Sequence, residues 1–301
     1  MSISVKNVTK LYGQQKALDN VSFEVGSNEI VGFLGPNGAG KSTMMKILTC
    51  YIPPSSGTAS VKGFDVSGDS IQVRRQIGYL PEHNPLYLDM YVKEFLEFAA
   101  SLYNVEKSAA RIREMIGMTG LQAEQNKKIG ALSKGYRQRV GLAQAMIHDP
   151  GVLIMDEPTT GLDPNQLEEI RNLIRALGKE KTVMLSTHIM QEVEAICDKV
   201  IIISQGQIVA NDDTKNLKRS GTRQIITVEF DQSVTKQDLL KIDGIETVTS
   251  IGSNTWQLIS SASNDVRKEV FNFAVQRQIG VLTLNKDEQK MEDVFKELTR
   301  K

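Results

Sequence analysis

The sequence predicts an α/β domain followed by a small α+β domain, and three observations carry the prediction. Apolar runs at residues 29–34 and 151–155 read as buried strands, and strands and helices alternate onward to about residue 217, the order of an α/β fold. Residues 218–222 turn polar and include Gly221, which reads as a boundary. Beyond it the pattern gives strand, helix, strand, strand, helix, strand, a ferredoxin-like order.

Taken along the chain, residues 2–8 alternate apolar and polar as a strand does, and a second strand falls at 17–25. The run at 29–34 leads into a glycine-rich loop. A helix starts near Lys41 and turns Met44, Met45, Ile47 and Leu48 inward. Pro53-Pro54 and Gly57 mark turns before a strand at 58–61. From about residue 92 to 147 the pattern is mostly helical, with Phe95, Phe98, Ala99 and Leu102 at i, i+3, i+4 and i+7. In the last part, strands fall at 224–230, 245–251, 255–259 and 281–284, and helices at 235–241, 265–276 and 291–299.

Composition narrows the class. The chain has 301 residues, 40% hydrophobic, with Lys+Arg and Asp+Glu at 36 each. That length suits about two domains with real cores. The balanced charge argues against a nucleic-acid partner, which draws a basic excess. Cys50 and Cys197 lie far apart without a CxxC pattern, so neither a disulfide framework nor a zinc site is expected, and a reducing cytosolic setting fits. The N-terminus shows no apolar signal core, and no apolar run approaches the roughly 18 residues of a membrane span. Any pore this chain serves is therefore expected on another polypeptide.

Two motifs carry chemistry. Gly35-Pro36-Asn37-Gly38-Ala39-Gly40-Lys41-Ser42 matches the Walker A phosphate-loop pattern G-x-x-x-x-G-K-[ST]. Glycines let such a loop wrap closely and aim successive N–H groups at phosphate oxygens. The helix behind adds its positive end. Lys41 supplies a cation to the β- and γ-phosphates, and Ser42 offers a hydroxyl to Mg²⁺. The second motif is the apolar run 152–155 ending in Asp156 and Glu157. A strand there fixes Asp156 near the loop, where it can hold the Mg²⁺ shell. Glu157, just past it, stands where α/β sheets bind ligands, and can orient and deprotonate a water.

With both motifs read, residues 1 to about 217 resemble the ABC (ATP-binding cassette) ATPases. Leu132-Ser133-Lys134-Gly135-Tyr136 resembles that family's L-S-G-G-Q signature, departing at Lys134 and Tyr136. The resemblance implies a P-loop NTPase core with an antiparallel β subdomain and a helical subdomain at about 88–147. It also implies ATP and Mg²⁺ as cofactors. Asn37, Gly38, Ala39 and Thr43 then belong to the nucleotide site with Gly35, Gly40, Lys41 and Ser42. Tyr12 matches the aromatic that stacks on adenine, Gly161-Leu162-Asp163 matches the D-loop, and His188 matches the switch histidine at the γ-phosphate. Ser133 and Gly135 would touch the γ-phosphate of a second subunit, which implies a head-to-tail homodimer. Glu82 stands where the family usually has Gln; its carboxylate can ligate Mg²⁺ but cannot donate a hydrogen bond.

Pro81-Glu82, Leu132-Ser133-Lys134-Gly135 and Met291-Glu292-Asp293-Val294-Phe295 resemble bacterial ABC-2-type export ATPases, and within them the gliding-motility GldA-type. That branch implies a separate integral membrane permease as partner and a peripheral place on the cytoplasmic face of the inner membrane. It also implies a small regulatory or dimer-supporting domain at 222–301. The alternative is a soluble ABC-type ATPase acting on ribosomes or DNA. Such proteins carry tandem cassettes or long coiled-coil insertions, and this sequence carries one compact cassette.

Overall fold

In the computed structural model, which describes residues 1–219, 223–261, 265–287 and 291–299, the chain divides into two units, Met1–Thr214 and Lys215–Lys301. The first unit opens with β1 (Ile3–Tyr12), β2 (Gln15–Val25), β3 (Ile30–Leu34), α1 (Lys41–Leu48), β4 (Ser56–Val61) and β5 (Phe64–Asp65). There follow α2 (Ser70–Gln76), β6 (Ile77–Leu80), α3 (Val92–Leu102), α4 (Ser108–Met118) and α5 (Lys134–Met146). It continues through β7 (Val152–Asp156), α6 (Pro164–Gly178), β8 (Thr182–Thr187), α7 (Met190–Ile196), β9 (Lys199–Ser204) and β10 (Gln207–Asp213). α8 (Thr214–Arg219) spans the junction of the two units.

Two sheets sandwich α1. The four-stranded sheet β2-β1-β4-β5 is antiparallel, and it buries Val5, Leu18, Phe23 and Val61 on one face. The six-stranded sheet runs β10-β9-β3-β8-β7-β6 and is parallel from β9 to β6. Met44, Met45, Ile47 and Leu48 of α1 fill the space between the two sheets. β3, β7 and β8 are buried along their whole length, as strands covered on both faces are, and this explains their unbroken apolar sequence. Leu34 pairs with Thr187 and Asp156 with Ser186. The residues that follow β3, β7 and β8, namely Gly35, Glu157 and His188, therefore emerge at one edge of the sheet.

α3, α4 and α5 pack on one another, and α5 also lies on β6. Where simple strand–helix alternation is expected after β8, β9 and β10 form a hairpin instead. Its turn is Gln205-Gly206, both with positive φ (50° and 77°), the geometry that suits a two-residue hairpin.

The second unit holds β11 (Arg223–Phe230), α9 (Lys236–Leu239), β12 (Ile245–Ser250), β13 (Thr255–Ser261), α10 (Arg267–Gln276), β14 (Val281–Asp287) and α11 (Met291–Thr299). Its sheet is antiparallel in the order β12-β13-β11-β14. Ile226, Val228, Phe230 and Leu258 meet Val270 and Ala274 of α10 in a separate core. α9 has four residues where a helix over 235–241 is expected: Thr235 caps its start, and Gly244, at φ 85°, turns the chain away soon after its end. Of the polar boundary stretch, Ser220, Gly221 and Thr222 lie outside the described residues. No helix among the described residues is long and apolar enough to cross a membrane.

Candidate active site

The loop from Gly35 to Gly40 is shaped by close approach. A side chain on Gly40, which has φ 111°, would come within 2.6 Å of the Ala17 carbonyl and 2.8 Å of Leu18 Cδ2. One on Gly35 would collide with the Ile203 carbonyl. Glycine alone fits both places. Within the loop Asn37 and Gly38 are exposed and Ala39 is buried, while Ser42 and Thr43 are half-buried on the first turn of α1. Lys41 is buried, at 6% exposure. Its Nζ donates to the carbonyls of Gly35 (2.7 Å) and Pro36 (3.3 Å). Burial holds this ammonium below the ordinary lysine value, against the opposing pull of Glu157, Asp156 and Glu82.

Asp156 ends β7 and Glu157 follows it; they are 4% and 7% exposed. Ser186 Oγ donates to Asp156 Oδ1. Glu157 adopts φ 50°, in the left-handed region that non-glycine residues enter at a cost. Its N–H faces the carbonyl (3.1 Å) and Oγ (3.2 Å) of Ser186. That conformation turns the carboxylate toward the loop. Oε1 lies 3.7 Å from Lys41 Nζ, both oxygens lie 3.0 Å from His188 Nδ1, and Thr160 Oγ1 donates to Oε2 at 3.3 Å. Because a carboxylate accepts, this contact assigns the hydrogen to Nδ1 of the half-exposed His188. Lys41, Glu157 and His188, read from three separate stretches, thus meet in one constellation beside Asp156.

Ser42, Glu82 and Asp156 line one cleft of about 1050 Å³. A hydroxyl and two carboxylates are the oxygen donors a hard divalent cation takes, so the residues fit Mg²⁺. Tyr79 lines the same cleft, and burial pushes its hydroxyl up to about 12.

The remaining predicted residues stand apart from this constellation. Tyr12 ends β1 and is 50% exposed, with Lys10 Nζ 5.5 Å from its ring centre. Ser133 is exposed at the N-cap of α5 and accepts from Tyr136 N–H, while Gly135 is buried against Gln166. Asp163 caps α6, its Oδ1 accepting from the N–H groups of Asn165 (3.0 Å) and Gln166 (2.9 Å). Thr160, Ser186 and Glu192 carry no motif that marks them in the sequence. Their sequence signal is position: three residues after Glu157 for Thr160, two before His188 for Ser186, and four beyond His188 for Glu192.

The fold and site define a nucleotide hydrolase with a glycine-rich phosphate loop on a parallel sheet. The chain belongs to the ATP-binding subunits of the ABC transporter family, and it is an ATPase. The family profile described as ABC transporter matches residues 18–160. The uncharacterized ABC transporter ATP-binding protein YxlF of Bacillus subtilis (strain 168) is 38% identical over 77% of this chain and 78% of its own length. The bacitracin transport ATP-binding protein BcrA of Bacillus licheniformis is 37% identical over 74% and 73%. The linearmycin resistance ATP-binding protein LnrL of Bacillus subtilis (strain 168) is 30% identical over 99% and 98%. Among solved structures, an ATP-binding subunit of an ABC transporter superposes with TM-score 0.67 at 30% identity, over 73% of this chain and 92% of that one. A dimeric cassette in a post-hydrolysis state bound to ADP and Pi gives TM-score 0.64 at 28% identity, over 70% and 98%.

Proposed function

We propose that this chain powers a separate integral membrane permease, as an exporter, by hydrolysing ATP in a head-to-tail homodimer. The observation that carries the chemistry is the meeting of Glu157 with both Lys41 and His188. Glu157 takes the proton of the attacking water, a role that contributes about 10²–10⁴-fold to rate. Lys41 and His188 stabilise charge on the transferring phosphoryl group. Mg²⁺, held through Ser42, Asp156 and Glu82, supplies further charge neutralisation when bound. The loop 35–43 cradles the phosphates, Tyr12 stacks on adenine, and Asp163 lies near the dimer seam. Ser133 and Gly135 of each subunit complete the loop of the other.

Export is supported by relatives named for bacitracin transport, linearmycin resistance and Nod factor export, the last at 36% identity in Burkholderia orbicola (strain AU 1054). Gliding motility is the narrower reading; it rests on Pro81-Glu82, the Leu132–Gly135 segment and the motif at 291–295 alone. We read the cleft mouth as the permease contact, a reading supported by the exposed Tyr51, Tyr87, Phe98, Leu102 and Tyr103 that line it. With a permease as partner, the chain is read as peripheral on the cytoplasmic face of the inner membrane. The second unit is read as a ferredoxin-like regulatory or dimer-supporting domain.

The test is an affinity pull-down of the intact chain from native membranes in mild detergent, with partners identified by mass spectrometry. A stoichiometric polytopic membrane protein is expected. Recovery of ribosomal or DNA-associated proteins alone would favour the soluble alternative.

A further inference from the structure

We propose that Glu192 is a positioning residue of the hydrolytic site, its buried carboxylate tying the loop that carries Glu157 to the loop that carries His188. The inference rests on the reading of Glu157 as the base. Glu192 lies on α7 and is 1% exposed. One of its oxygens accepts from Thr159 Oγ1 and the other from Thr187 Oγ1 at 2.7 Å. Both threonines are buried as well, at 2% and 0%. Thr159 comes two residues after Glu157, and Thr187 immediately precedes His188.

These two partners are neutral hydroxyls. Sealing a carboxylate away from water against two neutral hydroxyls is unfavourable compared with an apolar side chain of the same volume. Stability therefore does not account for this residue, and its geometry does. A carboxylate is acceptor-only, so it can receive one hydroxyl from each loop at once. Thr187 Oγ1 itself accepts from Ile189 N–H at 3.0 Å, which leaves its hydrogen free to point at Glu192. Glu157 N–H is tied to Ser186, and Glu157 to His188 at 3.0 Å. The Glu192 bridge adds a tie across the same pair of strand ends, one step further from the reacting edge. It sets the separation on which the Glu157–His188 contact depends, and a misplacement of about 1 Å can lower a rate about 10²-fold.

Glu192→Gln keeps the volume but puts N–H donors where one acceptor oxygen stood. Thr159→Val keeps the shape and removes one hydroxyl. For each variant we expect a fall in kcat per folded site of about 10-fold or more, with KM for ATP within about twofold of wild type. The ring ¹⁵N signal of His188, one of three histidines in the chain, should also shift in Glu192→Gln. An unchanged kcat in Glu192→Gln would overturn the proposal. So would a parallel loss of ATP affinity, which marks a general supporting role. Glu157→Gln, measured alongside, separates the two readings. Wild-type turnover in that variant removes the base assignment, whereas a silent Glu157→Gln beside a fully active Glu192→Gln removes only the role of Glu192.

Discussion

Glu157 is held by backbone and side chain together. Its positive φ and the Ser186 contacts aim the carboxylate, and Lys41 and His188 receive it. Strain of this kind, about 1–3 kcal/mol, persists only where the surroundings over-determine it. The phosphate loop was legible in the sequence because its chemistry is contiguous, eight residues in a row. The contacts that join Glu157 to His188, and Glu192 to Thr159, were not. They span about thirty residues and depend on which strands become neighbours, which periodicity does not state. His148 is a further residue that only the fold explains. Its ring stacks on Tyr103 at 3.8 Å and its Nε2–H reaches the Ile77 carbonyl at 3.1 Å, while Nδ1 is buried without a partner. Burial lowers its pKa below 6.5; the Ile77 carbonyl and Asp149 oppose this, and Arg111 and Lys181 add to it. Between the lowered value and 6.5 the unfolded chain holds a proton that the folded chain does not. The stability this group contributes is complete above that window and is lost as pH falls through it. Melting temperature should therefore drop on acidification below about 6.5, and less steeply in His148→Gln. Identical acid limbs for the two proteins would contradict this.

At the scale of elements, the buried strands β3, β7 and β8 were readable as unbroken apolar runs, and α1 was readable from its inward face. The β9–β10 hairpin and the short α2 were not. The hairpin turn is made by Gln205 and Gly206 rather than by a strong turn dipeptide, and α2 spans only seven residues. The contact of α5 with β6 is the joint on which the helical segment meets the sheet. Gly78 makes it possible: a side chain there would strike the Ala145 carbonyl and come within 2.7 Å of Leu153 Cδ2. Gly78→Ala should destabilise the chain by about 1–3 kcal/mol through overpacking. Thermal or denaturant unfolding at constant pH reads this directly, and an unshifted midpoint would show that the joint yields without penalty.

At the scale of the molecule, each unit has a core of its own, and the order of elements in the second was legible from alternating strands and helices. Strand spacing alone does not say which strand lies in the middle of its sheet, β12-β13-β11-β14; that order follows from the ferredoxin-like reading of the element order. Whole-length similarity to the linearmycin resistance ATP-binding protein, over 99% of this chain, includes the second unit. The proposed function turns on Glu157 driving ATP hydrolysis at a site completed by a second subunit. The most direct measurement is ATP turnover of purified Glu157→Gln, taken with its mass in solution with ATP. Retained ATP binding, turnover lowered about 10²-fold or more, and a stable ATP-bound dimer are expected. Wild-type turnover, or a variant that binds ATP and stays monomeric, would contradict the proposal.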